Sequence, residues 1–213
     1  MDTFSAPTKT WLQAVLGADF TATKHIHSHQ DEVYKIQTSS AGYYLKISTT
    51  LQAEQDNLQK LHNHLSVPAV IGFWHTAAQD HLLLSELPGK NLVELLDDWS
   101  VSDIVDTFAK AVRHLHSLDA RDIFPQASAS DVLLHGDMAL PNIIVSATGG
   151  IGYIDFGQLA FGTPELDLAD AIWSLQRNLG PTYGQRFLQS YGPVTMTPKI
   201  EQALAFRYQS EER

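Results

Sequence analysis

The sequence predicts an α+β fold with a small antiparallel β part that holds one helix and a larger, mainly helical part that carries a β-hairpin. Three observations lead to this prediction. β-Branched and aromatic residues alternate with polar ones through residues 19–48, as is typical of strands. Beyond about residue 100, apolar residues recur at helical spacing. Two short apolar runs flank Gly149-Gly150, which favours a tight hairpin. We predict two domains, residues 1–86 and residues 87–213.

In the first domain, strands are expected to outnumber helices. A short capped helix is expected at residues 8–16, followed by strands in FTATKHIHSH, EVYKIQT and GYYLKIS. The main helix is expected over residues 50–65, where leucines recur at helical spacing. Two more strands are expected in VPAVIGFWH and HLLLSEL.

The second domain is expected to begin with an amphipathic helix in DIVDTFAKAVRHLHSL, whose apolar residues form one stripe. A loop over residues 119–131 leads to HGDMALPN and then to the hairpin NIIVSATGGIGYIDF. The remainder is expected to be helical with breaks at GPTYG and GPVTMTP, because glycine and proline interrupt helices.

The composition excludes several classes of protein. The 213 residues are 44% apolar and 18% charged, as in ordinary globular domains. The absence of cysteine excludes disulfides and thiolate chemistry and suits a cytoplasmic location. Neither a signal peptide nor an apolar run of the roughly 18 residues of a membrane span is expected. A formal charge of −10 without a Lys/Arg cluster argues against nucleic-acid binding, and it fits either a cationic substrate or simple solubility.

The most informative stretch is HGDMALPN, which places Asp137 and Asn142 on a loop between two apolar runs. Neither residue type favours a strand, and loops held by a rigid scaffold are common sites of chemistry. Asp155 follows in IDFG, across the hairpin from Asn142. Three oxygen donors on adjacent loop ends suit Mg²⁺, which takes one or two protein carboxylates and leaves its other positions to phosphates and water.

A lysine and a glutamate of the first domain are expected to pair. Lys46 lies in YYLKIS between apolar residues, where an ammonium group needs a partner because its desolvation is unfavourable. Glu54, early in the next helix, is the expected partner. A strand lysine with such a partner, together with the Asp and Asn residues of the hairpin, is the layout that protein kinases use.

The chain resembles the aminoglycoside phosphotransferase and choline kinase-like family, most closely its aminoglycoside 3′-phosphotransferase branch. HGDMALPNIIV is similar to the branch's HGDxxLPNI loop, and YIDFGQLAFGTPELDLA is similar to its metal loop followed by a buried aspartate, here Asp167. The resemblance runs from about Trp11 to the end of the sequence. It implies a bilobal protein kinase-like fold and transfer of the γ-phosphate of ATP or GTP to a hydroxyl group of a small molecule, with Mg²⁺ as cofactor.

The resemblance also implies a role for each candidate residue. Asp137 is expected to orient or deprotonate the acceptor hydroxyl, Asn142 and Asp155 are expected to bind Mg²⁺, and Asp167 is expected to hold the catalytic loop. Residues of the first domain are expected to bind the nucleotide: Lys46 with its partner Glu54 at the phosphates, Ser28 of the glycine-free loop TKHIHSHQDEV at a phosphate, and the backbone of Glu86 and Leu87 at the base.

The acceptor side departs from the aminoglycoside 3′-phosphotransferase pattern. Only sixteen residues separate Leu118 from His135, where the family has a longer helical insertion. Gln158 stands where the family often has an arginine in the metal loop. On the next helix, Trp173 and Arg177 stand where the family has an arginine and a glutamate one turn apart. The terminal sequence FRYQSEER lacks the family's acidic and aromatic pair. The phosphate-transfer residues therefore match the family better than the acceptor residues do.

Several functions stay open on this basis. The leading hypothesis is an aminoglycoside 3′-phosphotransferase-like kinase of the antibiotic-resistance type. The alternatives are a kinase for another small alcohol or sugar and a non-catalytic nucleotide-binding module. A protein kinase is disfavoured because only six residues separate Gly157 from Pro164, too few for an activation loop. The alternating His25, His27 and His29 are a metal-binding tract, phosphate contacts when protonated below about pH 6.5, or, more simply, part of a solvated loop.

Overall fold

The computed structural model describes residues 4–17, 19–25, 32–192 and 194–211. No described helix combines the length and the apolar character that crossing a membrane requires. Of the residues singled out in the sequence, Ser28, His27 and His29 lie outside the described ranges.

The chain divides into two compact units. The first contains Met1–His62 and Pro68–Leu87, and the second contains Asn63–Val67 and Pro88–Arg213. The short segment Asn63–Val67 belongs with the second unit because the carbonyl of Ser66 accepts a hydrogen bond from the backbone N–H of Tyr153 at 2.9 Å.

The first unit is built on a five-stranded antiparallel sheet in the order β1-β2-β3-β5-β4. The strands are β1 (Thr21–His25), β2 (Glu32–Gln37), β3 (Gly42–Ser48), β4 (Val70–His75) and β5 (Asp80–Ser85). The unit also holds two helices, α1 (Ala6–Leu16) and α2 (Gln52–Leu61). The main helix expected in this part is α2, and the short capped helix expected at residues 8–16 is α1: the hydroxyl of Ser5 accepts from Thr8 N at 3.3 Å and Gly17 ends the helix with φ 61°.

The sheet of the first unit separates an apolar core from a face that carries Lys46. Leu12 of α1 packs with Tyr34, Ile36, Leu45 and Ile47 in one buried cluster. Successive side chains of a strand point to opposite faces, so Lys46, between Leu45 and Ile47, lies on the other side of β3. The sequence of β3 thereby directs one charged side chain away from the core.

The second unit combines four α-helices with two small sheets. The helices are α3 (Val101–His116), α4 (Glu165–Leu179), α5 (Gly184–Tyr191) and α6 (Pro198–Glu211). The strands are β6 (Lys90–Asn91), β7 (Val132–Leu134), β8 (Ile143–Val145), β9 (Ile151–Tyr153) and β10 (Ala160–Gly162). The predicted α+β class is confirmed.

The long helix α3 anchors this unit as its apolar stripe predicts. It begins at Ser100, whose hydroxyl accepts from Asp103 N at 3.2 Å. Its predicted stripe is fully buried: Ile104, Val105, Phe108, Val112 and Leu115.

Two antiparallel pairings position the loops of interest. β8 pairs with β9 in the predicted hairpin, with Ile143 opposite Tyr153. Farther along, β7 pairs with β10, with Leu134 opposite Ala160. The loop that follows β7 therefore runs beside the segment that precedes β10.

Candidate active site

The hairpin brings Asn142 and Asp155 to the same end of a two-stranded ribbon. The backbone N–H of Ile154 donates to the carbonyl of Asn142 at 3.0 Å, just beyond the pair Ile143–Tyr153. Asp155 is the next residue along the chain. The proximity that the sequence predicted for this pair is thus built into the backbone of the hairpin.

Asn142 also ties this ribbon end to Asp137. Its Nδ2 donates to the backbone carbonyl of Asp137 at 2.9 Å and to the carboxylate Oδ2 at 3.3 Å. Because both contacts use the amide nitrogen, the amide oxygen is the atom of Asn142 that suits a hard cation. Asp155 is exposed and has φ 69°, and it is the one non-glycine residue with positive φ among those described. Backbone strain of this kind is concentrated at functional sites.

These donors fit Mg²⁺ better than a metal held by protein ligands alone. Within the described ranges, no group of three or more His, Cys, Asp or Glu side chains is arranged to hold a metal ion. One carboxylate and one amide oxygen, from Asp155 and Asn142, could supply the small donor set of an ion that keeps water and phosphate oxygens as its remaining ligands.

Asp167 binds the backbone of the loop segment that precedes Asp137. Its fully buried carboxylate accepts from the backbone N–H groups of His135 at 2.8 Å and Gly136 at 3.0 Å. The same carboxylate contacts Nε2 of His116 at 3.1 Å, and Nδ1 of that ring contacts the hydroxyl of Tyr191 at 3.0 Å. Burial raises the pKa of Tyr191, and the negative charge of Asp167 acts in the same direction, so the hydroxyl keeps its proton.

His135 and Gly136 join the loop to the metal-loop segment. The ring of His135 is buried, with Nε2 2.9 Å from the carbonyl of Ile154 and its centre 4.5 Å from that of Phe156. Gly136 has φ 82°, and a Cβ atom built there would lie 2.3 Å from the carbonyl oxygen of Gln158. Only glycine fits both the backbone angle and this close approach.

Sequence reasoning missed an arginine at this site. Arg207 of α6 places Nη2 2.8 Å from Oδ1 of Asp137 and Nε 3.4 Å from Oδ1 of Asp170, a residue of α4. Its guanidinium lies 4.4 Å from the ring centre of Trp173, which is the geometry of a cation–π contact. The sequence holds no local signal for these contacts, because Arg207 and Asp137 are 70 residues apart.

Asp170 carries a second carboxyl group at this site, and its pKa is unusually high. Burial raises the pKa of the Asp170 carboxyl to about 7, and the negative charges of Asp167 and Asp137 act in the same direction. The positive charge of Arg207 and a hydrogen bond from the backbone N–H of Met138 oppose this shift. Near neutral pH, Asp170 therefore exchanges its proton while it remains next to Arg207.

The first unit contains the ion pair expected from the sequence. Lys46 Nζ donates to Oε1 and Oε2 of Glu54 at 2.8 and 2.9 Å, and the two side chains are only 12% and 4% exposed. These two hydrogen bonds fix the position of the ammonium group. Removal of one partner of a buried ion pair strongly destabilises the folded protein.

The segment after β5 offers fewer backbone groups than expected. The N–H of Glu86 donates to the carbonyl of Gly42 at 3.0 Å, and its carboxylate pairs with Lys35 at 2.7 Å. Glu86 can therefore offer a ligand its backbone carbonyl but not its N–H. Leu87, half-buried, follows it in the chain.

Sequence comparisons match this chain to known phosphotransferases. Residues 125–204 match the model of a family described as the phosphotransferase enzyme family. A probable aminoglycoside 3′-phosphotransferase from Lactococcus lactis is 26% identical over 198 residues, which covers 71% of this chain and 76% of that protein. An aminoglycoside 3′-phosphotransferase from Escherichia coli is 24% identical over 193 residues, covering 68% and 71%.

Comparisons of structure give the same fold over nearly the whole chain. The aminoglycoside phosphotransferase APH(3′′)-Id from Streptomyces rimosus matches with a TM-score of 0.71 and 21% identity, covering 96% of this chain and 98% of that one. An aminoglycoside 3′-phosphotransferase of type VIII matches with a TM-score of 0.73 and 18% identity, covering 98% and 99%. The resemblance seen in the sequence is confirmed: this chain is similar to the aminoglycoside phosphotransferases and has their protein kinase-like fold.

Proposed function

We propose that this chain is a phosphotransferase that moves the γ-phosphate of ATP or GTP to a hydroxyl group of a small molecule. The observation that carries the proposal is the hydrogen-bonded unit that joins Asp137, Asn142 and the backbone next to Asp155. The relatives support it, since those from Lactococcus lactis and Escherichia coli bear the name of such enzymes. The Streptomyces rimosus enzyme has also been solved with ADP and streptomycin.

In this proposal Asp137 acts on the acceptor. Its carboxylate accepts a hydrogen bond from the acceptor hydroxyl and takes the proton as the new P–O bond forms, while the bond from the γ-phosphorus to the β,γ-bridging oxygen breaks and the nucleoside diphosphate leaves. Arg207 and Asn142 each contact one carboxylate oxygen and so fix its orientation. Placement of the reacting groups, together with electrostatic stabilisation, is what a protein contributes to this reaction.

Asn142 and Asp155 would hold Mg²⁺, which neutralises phosphate charge when it is bound. The backbone hydrogen bond from Ile154 N to the carbonyl of Asn142 supports this assignment, because it keeps the two residues at the same end of the ribbon. Asp167 would have a positioning role, because its fully buried carboxylate is bonded to His116 and to the backbone of His135 and Gly136.

The nucleotide would be bound by residues of the first unit. Lys46, oriented by Glu54, would contact the phosphates, and Ser28 would add a hydrogen bond to a phosphate. The carbonyl of Glu86 and the backbone of Leu87 would contact the base. The Lys46–Glu54 pair supports this assignment because two hydrogen bonds fix the ammonium group on the strand, as kinases require of the lysine that contacts the phosphates.

Two acceptor classes are compatible with this chemistry. The names of the relatives favour an aminoglycoside and an antibiotic-resistance role. The contacts of Arg207 with Asp137 and Asp170 favour a different small alcohol or sugar, because both carboxylates already have a cation beside them.

Calorimetric titration of the purified chain tests the proposal. ATP or GTP is expected to bind in a Mg²⁺-dependent manner, and Asp155→Ala is expected to abolish that dependence, whereas the exposed control Asp98→Asn retains it. Asp137→Asn is expected to lower turnover by about 10²–10⁴-fold, the range for a lost acid–base group. Absence of Mg²⁺-dependent nucleotide binding by the wild type would overturn the proposal. Binding without turnover on any acceptor of a panel of aminoglycosides, amino alcohols and sugars would favour the non-catalytic module.

A further inference from the structure

Arg207 is held in place by secondary structure. Helix α6 packs along α4, Ile200 at its start is 1% exposed, and the hydroxyl of Tyr208 hydrogen-bonds to Gln176 of α4. The arginine side chain is one-third exposed, as is that of Asp137. Its position therefore follows from helix packing and from two ion pairs.

The surroundings of Arg207 give the acceptor side of Asp137 an unusual charge balance. Both carboxylates that face it, Asp137 and Asp170, contact the same guanidinium. A second cation lies close by, since the guanidinium of Arg177 is 5.9 Å from the ring centre of Trp173. The guanidinium of Arg207 therefore faces the charge of Asp137 and the reduced charge of Asp170, whose raised pKa leaves it partly protonated near neutral pH, so little uncompensated negative charge is left beside Asp137.

Charge balance matters because amine-rich acceptors are recognised by carboxylates. Streptomycin and gentamicin, which appear in solved complexes of proteins with the same fold, carry several basic nitrogen groups. Like charges brought together at an interface are strongly unfavourable and serve to reject wrong partners. A fixed guanidinium on both carboxylates would therefore repel such a ligand.

We propose that Arg207 selects the acceptor: by occupying Asp137 and Asp170, it admits hydroxyl compounds with at most one positive charge and excludes polycationic ones. This inference rests on the proposed function, since that function is what places an acceptor beside Asp137. The proposal gives α6 a role in specificity that the sequence FRYQSEER, which contains the end of this helix, does not indicate.

Calorimetry with kanamycin, whose several amino groups are protonated at neutral pH, tests the selection. Arg207→Met is expected to bind kanamycin at least about tenfold more tightly than the wild type does, equivalent to about 1.4 kcal/mol. Arg207→Lys keeps the charge and is expected to bind kanamycin as weakly as the wild type does. The matched control Arg186→Met removes another arginine–aspartate pair of 2.8 Å, that with Asp106, and is expected to change nothing. Raising the salt concentration from about 0.05 to about 0.5 M is expected to remove most of the gain.

Fully N-acetylated kanamycin separates charge from space, because it keeps the hydroxyl groups and loses the charges. Arg207→Met is expected to leave its affinity unchanged, and an equal gain for both compounds would show that the arginine only fills volume. In the wild type alone, kanamycin is expected to bind no more tightly than the acetylated compound, which keeps the proposal testable if Arg207→Met fails to fold. Tighter binding of kanamycin by the wild type would overturn the selection. Failure of the proposed function would instead appear as absent Mg²⁺-dependent nucleotide binding, a separate measurement.

Discussion

The buried carboxylate of Asp167 offers the sharpest test of how this chain holds its catalytic loop. It accepts three hydrogen bonds, from His135 N and His116 Nε2 at Oδ2 and from Gly136 N at Oδ1. Asp167→Asn replaces one oxygen by an NH₂ group of nearly the same size. The substitution therefore changes hydrogen bonding and charge while it leaves packing almost intact.

The magnitude follows from those three contacts. An asparagine that keeps its oxygen at the Oδ2 position retains two bonds, in weakened neutral form, and turns an NH₂ group toward the N–H of Gly136. One lost hydrogen bond to a charged group is worth about 1.5–3 kcal/mol, and the weakening of two others adds about 0.5–1 kcal/mol each. We expect a loss of about 3–5 kcal/mol in the free energy of unfolding, which leaves a typical domain folded but marginal.

Urea unfolding and steady-state turnover together measure the effect. Asp98→Asn is the matched control, because Asp98 also has an ion pair of 2.7 Å, with Lys90, but both side chains are more than half exposed. A surface pair of this kind contributes at most about 1 kcal/mol. We expect Asp167→Asn to lower turnover as well, since a loop displaced by about 1 Å can slow a reaction about 10²-fold. An unfolding free energy no lower than that of the control would refute the positioning role.

Three further substitutions have defined outcomes. Glu54→Ala should lower the unfolding free energy by about 3–5 kcal/mol in urea titrations, because it removes the carboxylate that fixes the buried ammonium of Lys46. Gly136→Ala should destabilise the chain and slow turnover more than Gly149→Ala does: both glycines have φ 82°, but a Cβ meets a carbonyl 2.3 Å away only at the first. Asp170 binds its proton more tightly folded than unfolded, so its contribution to stability falls as pH rises from about 4 to about 7, by up to about 4 kcal/mol. Asp170→Asn should remove that slope from unfolding free energies measured between pH 4 and pH 8, and an unchanged slope would contradict the raised pKa.

Much of the fold was predictable because its signals are local. The apolar stripe of α3 and the Gly-Gly turn depend only on residues close in sequence, and both elements formed as predicted. The helix expected over residues 50–65 also formed, but it covers only Gln52–Leu61. The pair Lys46–Glu54 was also predictable, since a strand lysine flanked by apolar residues needs a nearby carboxylate. The short helix α1 was predictable as well, because Ser5 and Gly17 supply ordinary helix-capping chemistry at its two ends.

The features that the sequence did not reveal are those that depend on contacts between distant elements. Asp137 and Asn142 are five residues apart, so their hydrogen bond lies within one loop and could be expected from the motif HGDMALPN. The contact between Asp137 and Arg207 instead requires α6 to pack on α4, and neither helix carries a pattern that specifies the match. Local chemistry therefore indicates the type of reaction, whereas long-range packing decides which acceptor can approach. That division explains why phosphoryl transfer could be inferred from two short motifs, while the charge of the acceptor had to await the position of one guanidinium.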